Sequence, residues 1–142
     1  MKVTETDTSI SASEWAVMRI VWTMGNCSSN TITAQLEQSK GWKPSTVKTL
    51  LRRLVLKGLL STQADGRRFI YQAKISQKQA LQQAGSEFLD EVCQKQQGKL
   101  LADMIANAVI SQSDLDALAA LIAQKKQTAP TSVACNCCTD MN

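Results

Sequence analysis

Three helical apolar stripes, an Asp-Gly turn between two alternating segments and one concentrated block of positive charge predict the fold class. It is mainly α, an α+β winged helix-turn-helix with a C-terminal helical dimerisation region. The charge is unevenly placed. From Lys43 to Lys74 eight cations stand against one acid, Asp65, a local charge of +7; the rest of the chain carries eight cations and eleven acids, −3. A basic segment on an otherwise acidic chain is the electrostatic footprint of a polyanion, though a solvated basic face carries the same charge.

The first helix begins in "ISASEWAVMRIVW". Ser11 and Glu14 are spaced as a capping box, and Ile10 and Trp15 as a hydrophobic staple. Trp15, Met18 and Trp22, with Val17 and Val21 beside them, form the apolar stripe, and Gly25-Asn26 ends it. A shorter second helix is predicted from Ser29 or Asn30, with Ile32 and Leu36 buried and Gly41 at its C′ position.

In "GWKPSTVKTLLRRLVLKGLL", Pro44 suits a first helical turn and Gly58 suits the end. Val47, Leu50, Leu51 and Leu54 make one apolar face. The other face carries Ser45, Thr46, Lys48, Thr49, Arg52 and Arg53, with Lys43 just ahead of the helix. The following "LLSTQADGRRFIYQA" changes to alternation, and Asp65-Gly66 predicts a two-residue hairpin turn joining strands near 59–63 and 68–73. Three helices and a hairpin make a winged helix-turn-helix. Its third helix presents cations and hydroxyls that reach base edges and phosphates of double-stranded DNA, and Arg67 and Arg68 at the wing grip the flanking backbone.

Residues 1–75 are therefore expected to form the DNA-binding domain. Residues 76–126 read as long helices, opening with Ser76 and Gln79 as a second capping box and repeating Ala80, Leu81, Ala84, Phe88 and Val92 along "SQKQALQQAGSEFLDEVCQKQ". "GKLLADMIANAVI" and "SDLDALAALIAQKK" follow, the latter with Leu115, Leu118, Leu121 and Ile122 on one stripe. So few residues do not enclose a core alone, which predicts packing against a twin as a homodimer.

Residues 127–142 read as a flexible tail. "QTAPTSVA" is a tether, and Cys135, Cys137 and Cys138 lie beyond it. Soft thiolates suit Zn(II) or Cu(I), and the three cysteines are the predicted metal ligands. A tetrahedral four-thiolate site lacks one donor, which a twin chain, Asp140 or Met141 supplies. Cys93, beside Val92 on the apolar side of a helix, reads as a small buried hydrophobe, and Cys27 follows a helix end; neither is given a function.

Composition narrows the class. There is no histidine, which removes serine-histidine triads and mixed histidine zinc sites, and no glycine-rich phosphate loop or paired carboxylates, so the chain is not expected to be an enzyme. Five cysteines, an odd number, with no secretory pattern in "MKVTETDTSISASEW", predict a reducing cytoplasmic setting. No apolar run approaches the roughly 18 residues of a membrane span.

"SASEWAVMRIVW", "STVKTLLRRLVLKG" and "DGRRFIYQA" resemble the winged-helix domain of the BlaI/MecI repressors, and "GKLLADMIANAVISQSDLDALAALIAQKK" followed by "CNC" resembles their copper-responsive CopY branch. The resemblance implies a homodimeric repressor of copper-export genes that binds an inverted-repeat operator in its zinc-loaded form. Cu(I) then displaces Zn(II) at C-terminal cysteines and the DNA is released. The implied readers lie among Ser45, Thr46, Lys48, Thr49, Arg52 and Arg53, with Arg67 and Arg68 at the wing, and the implied sensing thiols are Cys135 and Cys137. This sequence departs from the branch pattern of two C-x-C pairs, having the first pair plus Cys138. Two other readings are a β-lactam-type repressor of the same family inactivated by proteolysis, and a copper-buffering or chaperone protein.

Overall fold

The computed structural model describes residues 9–138. The chain divides into two compact units after Gly85. The first opens with α1 (Ala12–Met24), capped by the predicted box: Ser11 Oγ accepts from the Glu14 N–H at 3.2 Å, and the Ser11 N–H donates to Glu14 Oε1 at 2.9 Å. Gly25 ends it with a φ of 77°, a conformation that a side chain would strain. A two-residue strand follows, β1 (Cys27–Ser28), which sequence periodicity does not reveal. Ser28 also caps α2 (Ser29–Lys40), accepting from the Thr31 N–H at 3.2 Å. Then come α3 (Pro44–Leu56), β2 (Leu60–Asp65) and β3 (Arg68–Ala73).

The three strands form one antiparallel sheet in the order β1-β3-β2. Its hairpin turn lies one residue later than the sequence suggests. Asp65 pairs with Arg68, so Gly66 and Arg67 are the two connecting residues, and Gly66 takes a φ of 65°. Glycine supplies the positive φ that the first central position of such a turn demands, and Asp65 is left to extend the strand.

The core holds most of the residues on the predicted helical stripes, without Trp15 and Trp22, which are only partly buried, and with Cys27, Leu59 and Leu60 added. Val17, Met18, Val21, Ile32, Leu36, Val47, Leu50, Leu51, Leu54, Leu59 and Leu60 are all buried together with Cys27. Trp22 packs against this core, its ring centroid 5.6 Å from that of Trp15, and its indole N–H donates to the Ile75 carbonyl at 3.0 Å, tying α1 to the exit of the sheet. Three helices and a three-stranded sheet around one core make a winged helix-turn-helix.

After α4 (Gln77–Glu91) the helix stops, where the sequence suggested it would continue through Cys93. The Gln97 side-chain amide donates to the carbonyls of Leu89 and Val92 at 2.8 and 3.3 Å, satisfying acceptors that a continuous helix would use itself. α5 (Gln94–Asn107) and α6 (Gln112–Lys126) follow, with Ser111 capping the latter through the Asp114 N–H at 3.1 Å. None of the residues of α5 or α6 is buried, and Leu101, Met104, Ile105, Leu115, Leu121 and Ile122 are exposed. No helix among the described residues is long and apolar enough to cross a membrane.

Candidate functional site

The fold divides α3 into two chemically opposite faces. Val47, Leu50, Leu51 and Leu54 are each at most 4% exposed, and burying each such side chain stabilises the fold by roughly 1.5–3 kcal/mol. That burial fixes the helix's rotation about its axis, so Ser45, Thr46, Lys48, Thr49, Arg52 and Arg53 all face solvent, as does Lys43 at the N-cap. The helix holds no acid. The Thr49 hydroxyl donates to the Ser45 carbonyl at 3.0 Å, which leaves its oxygen able to accept. Arg67 and Arg68 are exposed at the hairpin tip, where Arg68 meets Asp65 at 3.5 Å in a solvated pair that constrains it little.

Lys57 is the cation of this block that turns inward. Just past α3, its Nζ lies 2.7 Å from Glu14 Oε1 and 2.8 Å from the Ser9 carbonyl oxygen. Burial by itself pushes the Glu14 carboxyl up, but the Lys57 hydrogen bond and charge, with the Ser11 contacts, outweigh it and hold the carboxyl below its ordinary range.

The thiols form a second constellation, within the second unit. The sulfurs of Cys93, Cys135 and Cys137 all lie within 4.8 Å of one another. Cys93 is the N-cap residue of α5 and only partly buried, not the core hydrophobe its neighbour Val92 suggested, because the helix break places it at a junction. The tail is seated there by Asn136, whose Oδ1 accepts from the Gln94 N–H at 3.0 Å, while the Cys137 N–H donates to Cys135 Sγ at 3.4 Å. Gln94 is the first residue of α5, so its amide has no partner inside the helix, and Asn136 caps it from 42 residues away.

Cys93 and Cys137 are pushed in opposite directions. The Cys137 thiol, with a smaller contribution from the Lys95 backbone N–H, lowers Cys93 to about 7. Cys135 first and Cys93 second push Cys137 up to about 12. Soft donors at these separations fit a thiophilic metal ion.

Cys138 is exposed and outside this sulfur group; it adjoins Cys137 in a non-helical segment, where neighbouring side chains diverge. Asp140 and Met141 lie outside the described residues. Cys27 is packed in the core, and burial pushes its thiol up. Sequence reasoning missed Cys93 because nothing local links it to a tail some 42 residues on; the one available signal was the tail's shortage of thiols.

The model of the family described as penicillinase repressor matches residues 10–124. An uncharacterised 16.5 kDa protein in the ptsI 3′ region of Latilactobacillus sakei is 40% identical over 133 residues, 94% of this chain and 91% of that one. The methicillin resistance regulatory protein MecI of Staphylococcus aureus is 27% identical over 116 residues, 82% of this chain and 94% of that one. A structure titled as the CopR repressor is 43% identical, covering 47% of this chain and 97% of its own, with a TM-score of 0.42. With the family model spanning the winged helix and the helices after it, this chain belongs to the penicillinase repressor family of DNA-binding transcriptional repressors.

Proposed function

We propose that the chain is a copper-responsive repressor that binds an inverted-repeat operator as a homodimer and leaves it when Cu(I) displaces Zn(II) at thiolates near the C-terminus. The observation that carries this reading is the convergence of the Cys135 and Cys137 sulfurs in a repressor whose α3 exposes a helix face free of acids. α3 enters the major groove, where Lys43, Ser45, Thr46, Lys48, Thr49, Arg52 and Arg53 meet base edges and phosphates, and Arg67 and Arg68 hold the backbone beside it. The exposed apolar residues of α5 and α6 support pairing with a second copy, and two copies place two reading helices on one duplex. Release follows if the Cu(I)-bound tail, unlike the zinc-bound one, favours a dimer geometry that no longer matches the two half-sites, since a ligand shifts an equilibrium only by its differential affinity for the two states.

The reading is tested by titrating reduced, zinc-loaded protein onto an inverted-repeat duplex at fixed salt, then adding Cu(I) while following zinc in the same sample. Joint release of DNA and zinc is expected. Tight binding that Cu(I) leaves unmoved, and that is lost only after proteolysis, would replace this reading with the β-lactam-type one.

A further inference from the structure

From the sulfur geometry we infer that Cys93 is a metal ligand, completing with Cys135 and Cys137 a three-thiolate Cu(I) site inside a single chain. The inference rests on the copper-responsive reading and deepens it. It requires neither the twin chain nor Cys138 for its donors.

The donor set is the first argument. Three sulfurs already lie within 4.8 Å of one another. A metal–sulfur bond of about 2.3 Å in a trigonal arrangement needs sulfurs about 4 Å apart, so closing on the ion takes less than about 1 Å of movement. Zn(II) prefers four ligands and finds one too few, whereas soft, monovalent Cu(I) with thiolates accepts three. Thiols that are protonated before binding give their protons to solvent as the ion enters.

The second argument is that the geometry is supported from outside the sulfurs. Asn136, the central residue of C-N-C, spends its side chain on the Gln94 N–H, one residue from Cys93. This contact fixes the approach of both tail cysteines to the head of α5. Cys135 is in turn held near Cys137 by the Cys137 N–H. A tail bound only by its own cysteines has no use for such an anchor.

The test uses the full chain, reduced and free of oxygen, with Cu(I) competed against a chromophoric Cu(I) chelator and the number of Cu–S bonds read by X-ray absorption. The variants are Cys93→Ser, Cys138→Ser and the double Cys135→Ser/Cys137→Ser. Serine is the stronger helix N-cap, so the Cys93 variant retains α5, and circular dichroism of the metal-free protein checks it. Wild type and Cys138→Ser are expected to bind one Cu(I) per chain through three sulfurs. Cys93→Ser is expected to fall to two sulfurs and to lose at least about tenfold in affinity, the loss that even outer-shell partners produce. Three Cu–S bonds and wild-type affinity in Cys93→Ser, with the loss appearing in Cys138→Ser instead, would overturn the site and leave copper response standing. A three-sulfur site that depends on Cys93 in a protein whose DNA binding ignores Cu(I) would uphold the site and remove copper response.

Discussion

Glu14 and Lys57 join the start of α1 to the residue that follows α3, through a 2.7 Å contact in which the carboxylate side chain is 1% exposed. The pair anchors the end of α3 to the start of α1, two helices that both bury four residues in the same core. Its energetic weight is asymmetric, because removing one partner leaves a charge buried alone. Glu14→Ala also deletes the capping box, and it is expected to cost about 3 kcal/mol or more in chemical denaturation. Lys57→Met, which can refill the space but strands the carboxylate, is expected to cost nearly as much.

The same pair sets an acid limit on stability. The folded carboxyl titrates below its unfolded value, so its contribution is fully present above the unfolded carboxylate range and is lost as pH falls through the folded pKa. Wild-type stability measured from neutral to acid pH should therefore drop more steeply than that of Glu14→Gln. Parallel curves would remove Glu14 from the account.

On α3, substitutions should separate by role. Arg52→Ala and Arg53→Ala are expected to cost about 1–3 kcal/mol of operator affinity and to relax discrimination at individual bases, if their guanidinium groups read base edges. Arg67→Ala at the wing should weaken all duplexes alike and reduce the salt slope by about one. Fluorescence anisotropy on operator and scrambled duplexes over a salt series distinguishes them.

For the second unit, Leu121→Glu with Ile122→Glu places charge on an exposed apolar stripe. The expected result is a monomer by light scattering under conditions where the parent chain is a dimer. Binding to a half-site should persist while binding to the inverted repeat weakens.

Asn136→Ala removes the acceptor that caps Gln94 without touching a sulfur. Metal affinity is expected to fall by roughly tenfold, and the tail should become more accessible to protease. Unchanged Cu(I) affinity would mean the sulfurs find one another without the anchor.

Most of the winged helix could be read from the chain because its signals are local. Ser11-Glu14, the spacing of Val47, Leu50, Leu51 and Leu54, and Pro44 each act within a turn or two of their own position. The misses come from pairings that residue type does not announce, some distant along the chain and some only a few residues apart. Cys27-Ser28 becomes a strand only because Tyr71 and Ile70 pair with it. The hairpin turn moves by one residue because Asp65 finds Arg68. The break at Cys93 has no proline or glycine to announce it, being made by Gln97 reaching back to Leu89 and Val92. The candidate metal site follows the same division: Cys135 and Cys137 stand out by density, but Cys93 joins them only through the fold.

Joining Cys93 to Cys135 and Cys137 has a topological consequence. An ion bound there would be a buckle, and everything from Gln94 to Ala134, both α5 and α6, would become a ring closed by metal–sulfur bonds. A ring has fewer ways to unfold than an open strand, and the advantage grows with its circumference. Copper at the far end of the chain should therefore be felt as heat resistance in helices many residues earlier, so that a melting curve of the second unit reports whether the buckle is fastened.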